Sequence, residues 1–111
     1  NAIQIGFLHN KKAGGSVTVA ILESNFDRNQ VYEYLVSSEK IFTSSTDTTD
    51  IGEEGKIIYF TGTPTSPDSI KIIFTRCSSV VKISLARDVE ESDVINYAQK
   101  LDERLSSAVC P

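Results

Sequence analysis

The chain has 111 residues, of which 40% are hydrophobic and 23% charged, and its formal net charge is -4. That length forms one domain, residues 1–111, with a modest core. The acidic balance excludes nucleic acid and an anionic membrane surface, because both require clustered Lys and Arg. No stretch approaches the roughly 20 apolar residues of a membrane span, so no membrane insertion by this segment is expected.

The first pattern is a two-residue alternation in which Ile3, Ile5 and Phe7 interleave with Gln4, Gly6 and Leu8. This period is that of a β-strand. Asn10-Lys11-Lys12-Ala13-Gly14-Gly15-Ser16 reads as a turn, with the paired glycines free to take positive φ. Val17, Val19 and Ile21 then alternate with Thr18, Ala20 and Leu22, so the first two strands form a hairpin.

The pattern changes at Asn25. Asp27 is a good N-cap with Gln30 three residues on, and Phe26 and Val31 occupy the two positions of a hydrophobic staple. Val31, Tyr34, Leu35, Ser38 and Ile41 follow helical spacing. Val31-Tyr32-Glu33-Tyr34-Leu35-Val36 also has β propensity, but the start signals favour a helix. Thr43 to Gly55 is polar and uncapped and reads as a long surface loop.

Lys56 to Thr61 is the third strand, followed by a turn whose prolines, Pro64 and Pro67, exclude a ladder. Ile70, Ile72 and Phe74 alternate with Lys71, Ile73 and Thr75; after a tight turn at Arg76-Cys77-Ser78-Ser79, Val81, Ile83 and Leu85 alternate with Val80, Lys82 and Ser84. These two strands are a second hairpin. A final helix begins near Ser92 or Asp93, with Val94, Ala98, Leu101, Leu105 and Ala108 on one stripe and Glu90, Glu91 and Asp93 at the positive end of its dipole. The order ββαβββα predicts an α+β fold: a two-layer sandwich, a five-stranded mostly antiparallel sheet with two helices on one face.

Cys77 and Cys110 are the two cysteines. An even pair fits a disulfide in an oxidising compartment, and two unpaired small residues are the competing reading. The helix should span about 25 Å and strand five a similar length, so the helix end returns to the level of the turn holding Cys77. The sequence lacks Met and so does not begin at an initiator. Removal of a signal peptide is the expected reason, and a trimmed boundary or a tag scar at Asn1-Ala2 is the other.

Four segments together resemble a recurring tail. They are Ile51-Gly52-Glu53-Glu54-Gly55, Ile70 to Arg76, Val80 to Leu85, and Val94 to Leu105. The combination of acidic glycine-containing turn, β-hairpin and closing helix is similar to the end of small extracytoplasmic domains of bacterial lipoproteins and receptor-type kinase sensors. The resemblance covers about half the chain and carries no catalytic residue. It implies an extracytoplasmic location and a binding or sensing role.

Catalytic candidates are few. A Ser–His–Asp site would have to use His9, the single histidine, and no Gly-x-Ser-x-Gly elbow accompanies it. Asp47, Asp50, Glu53 and Glu54 crowd one loop, but their spacing is not that of a calcium loop, and a solvated acidic loop is expected. Residues 10–16 could offer backbone N–H groups to an anion but lack the ending of a phosphate loop. Tyr32, Tyr34, Tyr59 and Tyr97 are expected at the core or a helix edge rather than as a base-stacking platform. No catalytic, cofactor-binding or metal-binding residue is assigned, and no cofactor is expected.

One surface is left. Leu8, Ala20, Leu22, Ile58, Phe60, Ile73 and Val80 fall on the row opposite the helix-covered core, interleaved with Lys56, Lys71 and Lys82. Lysine stems covering these apolar atoms is one reading. The other is an open sheet face that binds a protein partner or pairs with a twin subunit, through Leu8, Leu22, Ile58, Phe60, Ile73 and Val80. The expected function is a secreted or cell-envelope binding or sensor domain without catalytic activity, and the alternative is a small secreted effector or toxin.

Overall fold

The computed structural model describes residues 2–9, 12–22, 24–40, 45–60, 69–85 and 91–110. In chain order the elements are β1 (Ala2–His9), β2 (Lys12–Ile21), α1 (Asn25–Lys40), β3 (Ser45–Thr48), β4 (Glu54–Phe60), β5 (Ser69–Arg76), β6 (Ser79–Leu85) and α2 (Glu91–Val109). The chain is an α+β fold, an antiparallel sheet with two helices, as the alternation and the helical stripes predict.

The strands lie in the order β1-β2-β6-β5-β4-β3, and every neighbouring pair is antiparallel. Both predicted hairpins are present. The second is the more regular, pairing Ile70 with Leu85 through Arg76 with Ser79 around a turn at Cys77 and Ser78. In the first, the register slips between Phe7 and Leu8. Of the expected turn at residues 10–16, Lys12 to Ser16 belong to β2, and residues 10 and 11 lie outside the described residues.

Two particulars of the sheet differ from expectation. Among the described residues it has six strands rather than five, because Ser45–Thr48 lies within the segment read as a loop and pairs with Lys56–Tyr59 of β4. A run of Ser, Thr and Asp has no apolar alternation to reveal it; at an edge, one ladder of backbone bonds suffices.

The helices also take opposite faces. Val17, Ile57, Ile72, Phe74, Val81 and Ile83 pack against Val94, Ala98 and Leu105 of α2. The interleaved Ile58, Ile73 and Val80 pack against Tyr32 and Val36 of α1. Connectivity accounts for this. α1 joins β2 to β3, which are separated by β6, β5 and β4, and it contacts those three strands as it crosses. With α2 packed on β5 and β6 from one side, the crossing uses the other.

The start of α1 is one turn away from the expected cap. Ser24 Oγ accepts a hydrogen bond from Asp27 N at 3.1 Å, and Ser24 O accepts one from Arg28 N, so Ser24 is the N-cap and Asp27 sits in the first turn. Among the described side chains of α1 the buried ones are Arg28, Tyr32, Val36 and Glu39, with Val31 and Leu35 beside them, whereas Tyr34 is 71% exposed. The expected staple at Phe26 involves a side chain outside the described residues. On α2 the stripe is as predicted through Val94, Ala98, Leu101 and Leu105, and Ala108 is exposed.

Candidate functional site

The expected partner face is covered by the chain itself. Ile58 and Val80 are 1% exposed and Ile73 is 0% exposed, all beneath α1, and Leu22 packs at the margin of the same cluster. Phe60 is half-buried at the end of β4. Leu8 is placed only as the backbone partner of Ala13, its side chain lying outside the described residues. The reading of Ile58, Ile73, Val80 and Leu22 as an open surface is therefore corrected: they belong to a second core, and its cover is α1. Periodicity assigned these residues to one face, and Val31 and Leu35 of the expected α1 stripe do border the cluster, but Tyr34 is exposed and the helix lies on the sheet face opposite the one expected.

Two of the lysines on that face have a specific role. Glu39, near the end of α1, is 8% exposed. It accepts hydrogen bonds from Lys71 Nζ of β5 at 2.8 Å and Lys82 Nζ of β6 at 2.7 Å. Burial alone would push the Glu39 carboxyl upward, but the hydrogen bonds and positive charge of the two lysines outweigh it and hold it below the usual carboxylate range. Lys71 and Lys82 sit close on adjacent strands, with Lys82 paired in register to Ile73. One carboxylate between them replaces a repulsion with two attractions.

A second polar cluster surrounds the β5–β6 turn. Cys77 has φ +50°, a left-handed conformation uncommon for a residue with a Cβ. It is held from three sides. Its sulfur is bonded to that of Cys110, after the end of α2. Its carbonyl accepts from Arg28 Nη1 at 2.7 Å, and its N–H donates to Glu53. Arg28 and Glu53 also pair at 3.2 Å, and the rest of the Arg28 fork binds Asn29 Oδ1 at 3.0 and 2.8 Å. The turn is thus tied to α1, to the segment before β4 and to α2.

Arg76, the last residue of β5, grips Asp102 of α2 with two parallel bonds of 2.7 and 2.8 Å. The guanidinium lowers the Asp102 pKa against the opposing effect of burial, and the N–H of Gly52, 3.1 Å from the second oxygen, adds to the lowering. Gly52 has φ +75°, and a Cβ there would collide with the Thr75 carbonyl and lie 2.9 Å from the Phe74 ring. Only glycine lets this segment lie flat against β5, where Glu53 N donates to Thr75 O and Glu54 N to Thr75 Oγ1. The acidic glycine-containing turn singled out in the sequence is therefore a clasp between β5 and α2.

The remaining chemistry candidates stay apart. Glu53 is occupied by Arg28 and Cys77, while Asp47, Asp50 and Glu54 are exposed. No group of three metal-ligating side chains occurs among the described residues. Asp50, Ile51, Gln99, Asp102 and Glu103 line a shallow depression, but its most buried carboxylate, Asp102, is committed to Arg76. His9 lies on edge strand β1, in register with Lys12. Residues 12–16 are extended strand rather than a loop of converging N–H groups.

Among the tyrosines, Tyr32 is in the second core, its pKa pushed up to about 12 by burial and by the nearby Glu54 and Glu33 charges. Tyr59 donates its phenolic proton to Glu91, a bond that, with burial, raises its pKa to about 12. The ion pairs Arg28–Glu53 and Arg76–Asp102 and the Glu39 centre went unseen in the sequence. Arg28 and Glu39 do share a helical face with Tyr32 and Val36, which is the pattern that betrays them. No family model, curated protein or solved structure matches the chain.

Proposed function

We propose that this chain is a binding or sensor domain of an oxidising, extracytoplasmic compartment, without catalytic chemistry, acting by contact with a protein partner. The Cys77–Cys110 bridge carries this reading. Its Cα atoms are 5.4 Å apart, an ordinary spacing for a disulfide, and it joins the sheet turn to the end of the closing helix across 33 residues. Persistent bridges of this kind belong to secreted and cell-envelope proteins. No helix among the described residues is long and apolar enough to cross a membrane. Two polar clusters consume their own charges, Glu39 with two lysines and Asp102 with Arg76, which is the economy of a scaffold. Such a domain presents its exposed surfaces and strand edges to a partner.

The test is the thiol state of the chain in the cells that make it. Alkylation under denaturing, non-reducing conditions should leave both cysteines unlabelled until a reductant is added. Labelling of Cys77 and Cys110 without reduction would remove the compartment argument.

A further inference from the structure

The sheet has two edges, and they are built differently. β3, on one side, has four residues, includes Asp47, and covers only Lys56–Tyr59 of β4. Shortness and charge are both ordinary ways of blunting an edge. β1, on the other side, has eight residues, Ala2–His9, and contains no Asp, Glu, Lys, Arg or Pro in a chain whose net charge is -4. Among the described residues no strand pairs with its outer side. From Ala2 to Phe7 its register with β2 is regular, and the one slip lies beyond Phe7. A long, uncharged, regular edge is a template for another strand.

We propose that the occupant of this edge is a second copy of the chain, its β1 antiparallel to the first about a two-fold axis normal to the sheet. An uncharged strand pairs with itself without the like-charge repulsion that most segments of an acidic chain would meet. The two-fold brings odd-numbered positions opposite odd-numbered ones, so Ile3, Ile5 and Phe7 meet members of their own set. The backbone register of β1 already sets Ile3 and Ile5 opposite Val19 and Val17 of β2, both part of the α2-side core. By backbone register, the pairing places these positions in line with Val17 and Val19 of each copy. It joins the two sheets into one and leaves α1 and α2 in place. The inference names the partner for the binding reading above and rests on it.

Sedimentation of the disulfide-intact chain over a wide concentration range should show a monomer–dimer equilibrium, and amides of residues 2–9 should exchange more slowly as the dimer fills. Gln4→Lys and Gln4→Glu should each weaken association by about tenfold or more, equivalent to roughly 1.4 kcal/mol, and an equimolar mixture of the two should recover it. Circular dichroism and thermal melting identify any variant that has failed to fold, and the wild-type exchange measurement decides the matter without a variant. A monomer at every concentration overturns the pairing. So does a dimer whose association ignores both substitutions and whose β1 amides are unchanged. Either result leaves the compartment reading to the thiol labelling, so the two fail separately.

Discussion

Glu39 holds two lysines of adjacent strands with one carboxylate, and its burial makes the arrangement sensitive to the loss of a single charge. Glu39→Gln leaves Lys71 and Lys82 facing each other with one neutral acceptor between them. The lysine side chains are 26% and 28% exposed, so water moderates the repulsion. The cost should be about 1–3 kcal/mol, below that of breaking a fully buried pair. The pH dependence has a defined sign. A carboxyl whose folded pKa is lowered contributes its full stability above its unfolded pKa of about 4.3 and loses it as pH falls through the folded value. Glu39 behaves this way. Urea titrations from neutral to strongly acidic pH should show wild-type stability falling below about pH 4, with a shallower fall in Glu39→Gln. Parallel curves for the two proteins would mean that the Glu39 charge does not stabilise the fold.

At the scale of elements, α1 and α2 are attached by different means. α2 presents a continuous stripe, Val94, Ala98, Leu101 and Leu105, to the larger core. α1 contributes a shorter apolar contact through Tyr32 and Val36, flanked by Arg28 towards its start and Glu39 near its end. Its orientation can be tested by a pair of substitutions two residues apart. Val36 is 5% exposed and Tyr34 is 71% exposed. Val36→Asp buries an unpaired charge and should cost about 3 kcal/mol or more, whereas Tyr34→Asp should stay within about 0.5 kcal/mol. Similar denaturation midpoints for the two variants would contradict the placement of α1 on the Ile58–Ile73–Val80 face.

The same comparison explains what was legible in α1. Its existence and length were readable from capping chemistry and helical spacing, although the cap itself is Ser24 rather than Asp27. Its buried side was not, because among the described side chains two of the four buried ones, Arg28 and Glu39, are charged and acceptable there only through partners far away in sequence. An apolar count along the helix gives no weight to such residues. β3 escaped for a related reason, since Thr46 and Asp47 gain strand structure by pairing with Ile58 and Ile57, not from their own propensity.

In the whole molecule, the bridge closes a path from the sheet turn through β6 and α2 and back. Arg76–Asp102 and Gly52–Asp102 fasten the same helix to the sheet by polar contacts. The bridge constrains the unfolded chain over a 33-residue separation, worth about 3–4 kcal/mol in the chain-entropy treatment. A domain of this size has about 5–15 kcal/mol in total. The double variant Cys77→Ser/Cys110→Ser should therefore unfold at clearly lower denaturant, with amide exchange rising first at the end of α2, where the tie is lost. A loss under about 1 kcal/mol would show that the unfolded chain is already compact around this loop.

The sequence by itself determined the strand rows, the antiparallel hairpins and the α2 stripe, because each rests on local periodicity or on turn chemistry, and with two cysteines it allowed one bridge, Cys77–Cys110, which the structure contains. Only the tertiary structure decided that Ile58, Ile73 and Val80 lie beneath α1, that Lys71 and Lys82 share Glu39, and that β3 and β1 are the outermost strands among the described residues. The physical reason is that a two-residue period sorts side chains between the faces of a sheet but does not say what covers either face. That depends on the path of the chain from β2 across β6, β5 and β4 to β3, a set of contacts made by residues distant in sequence.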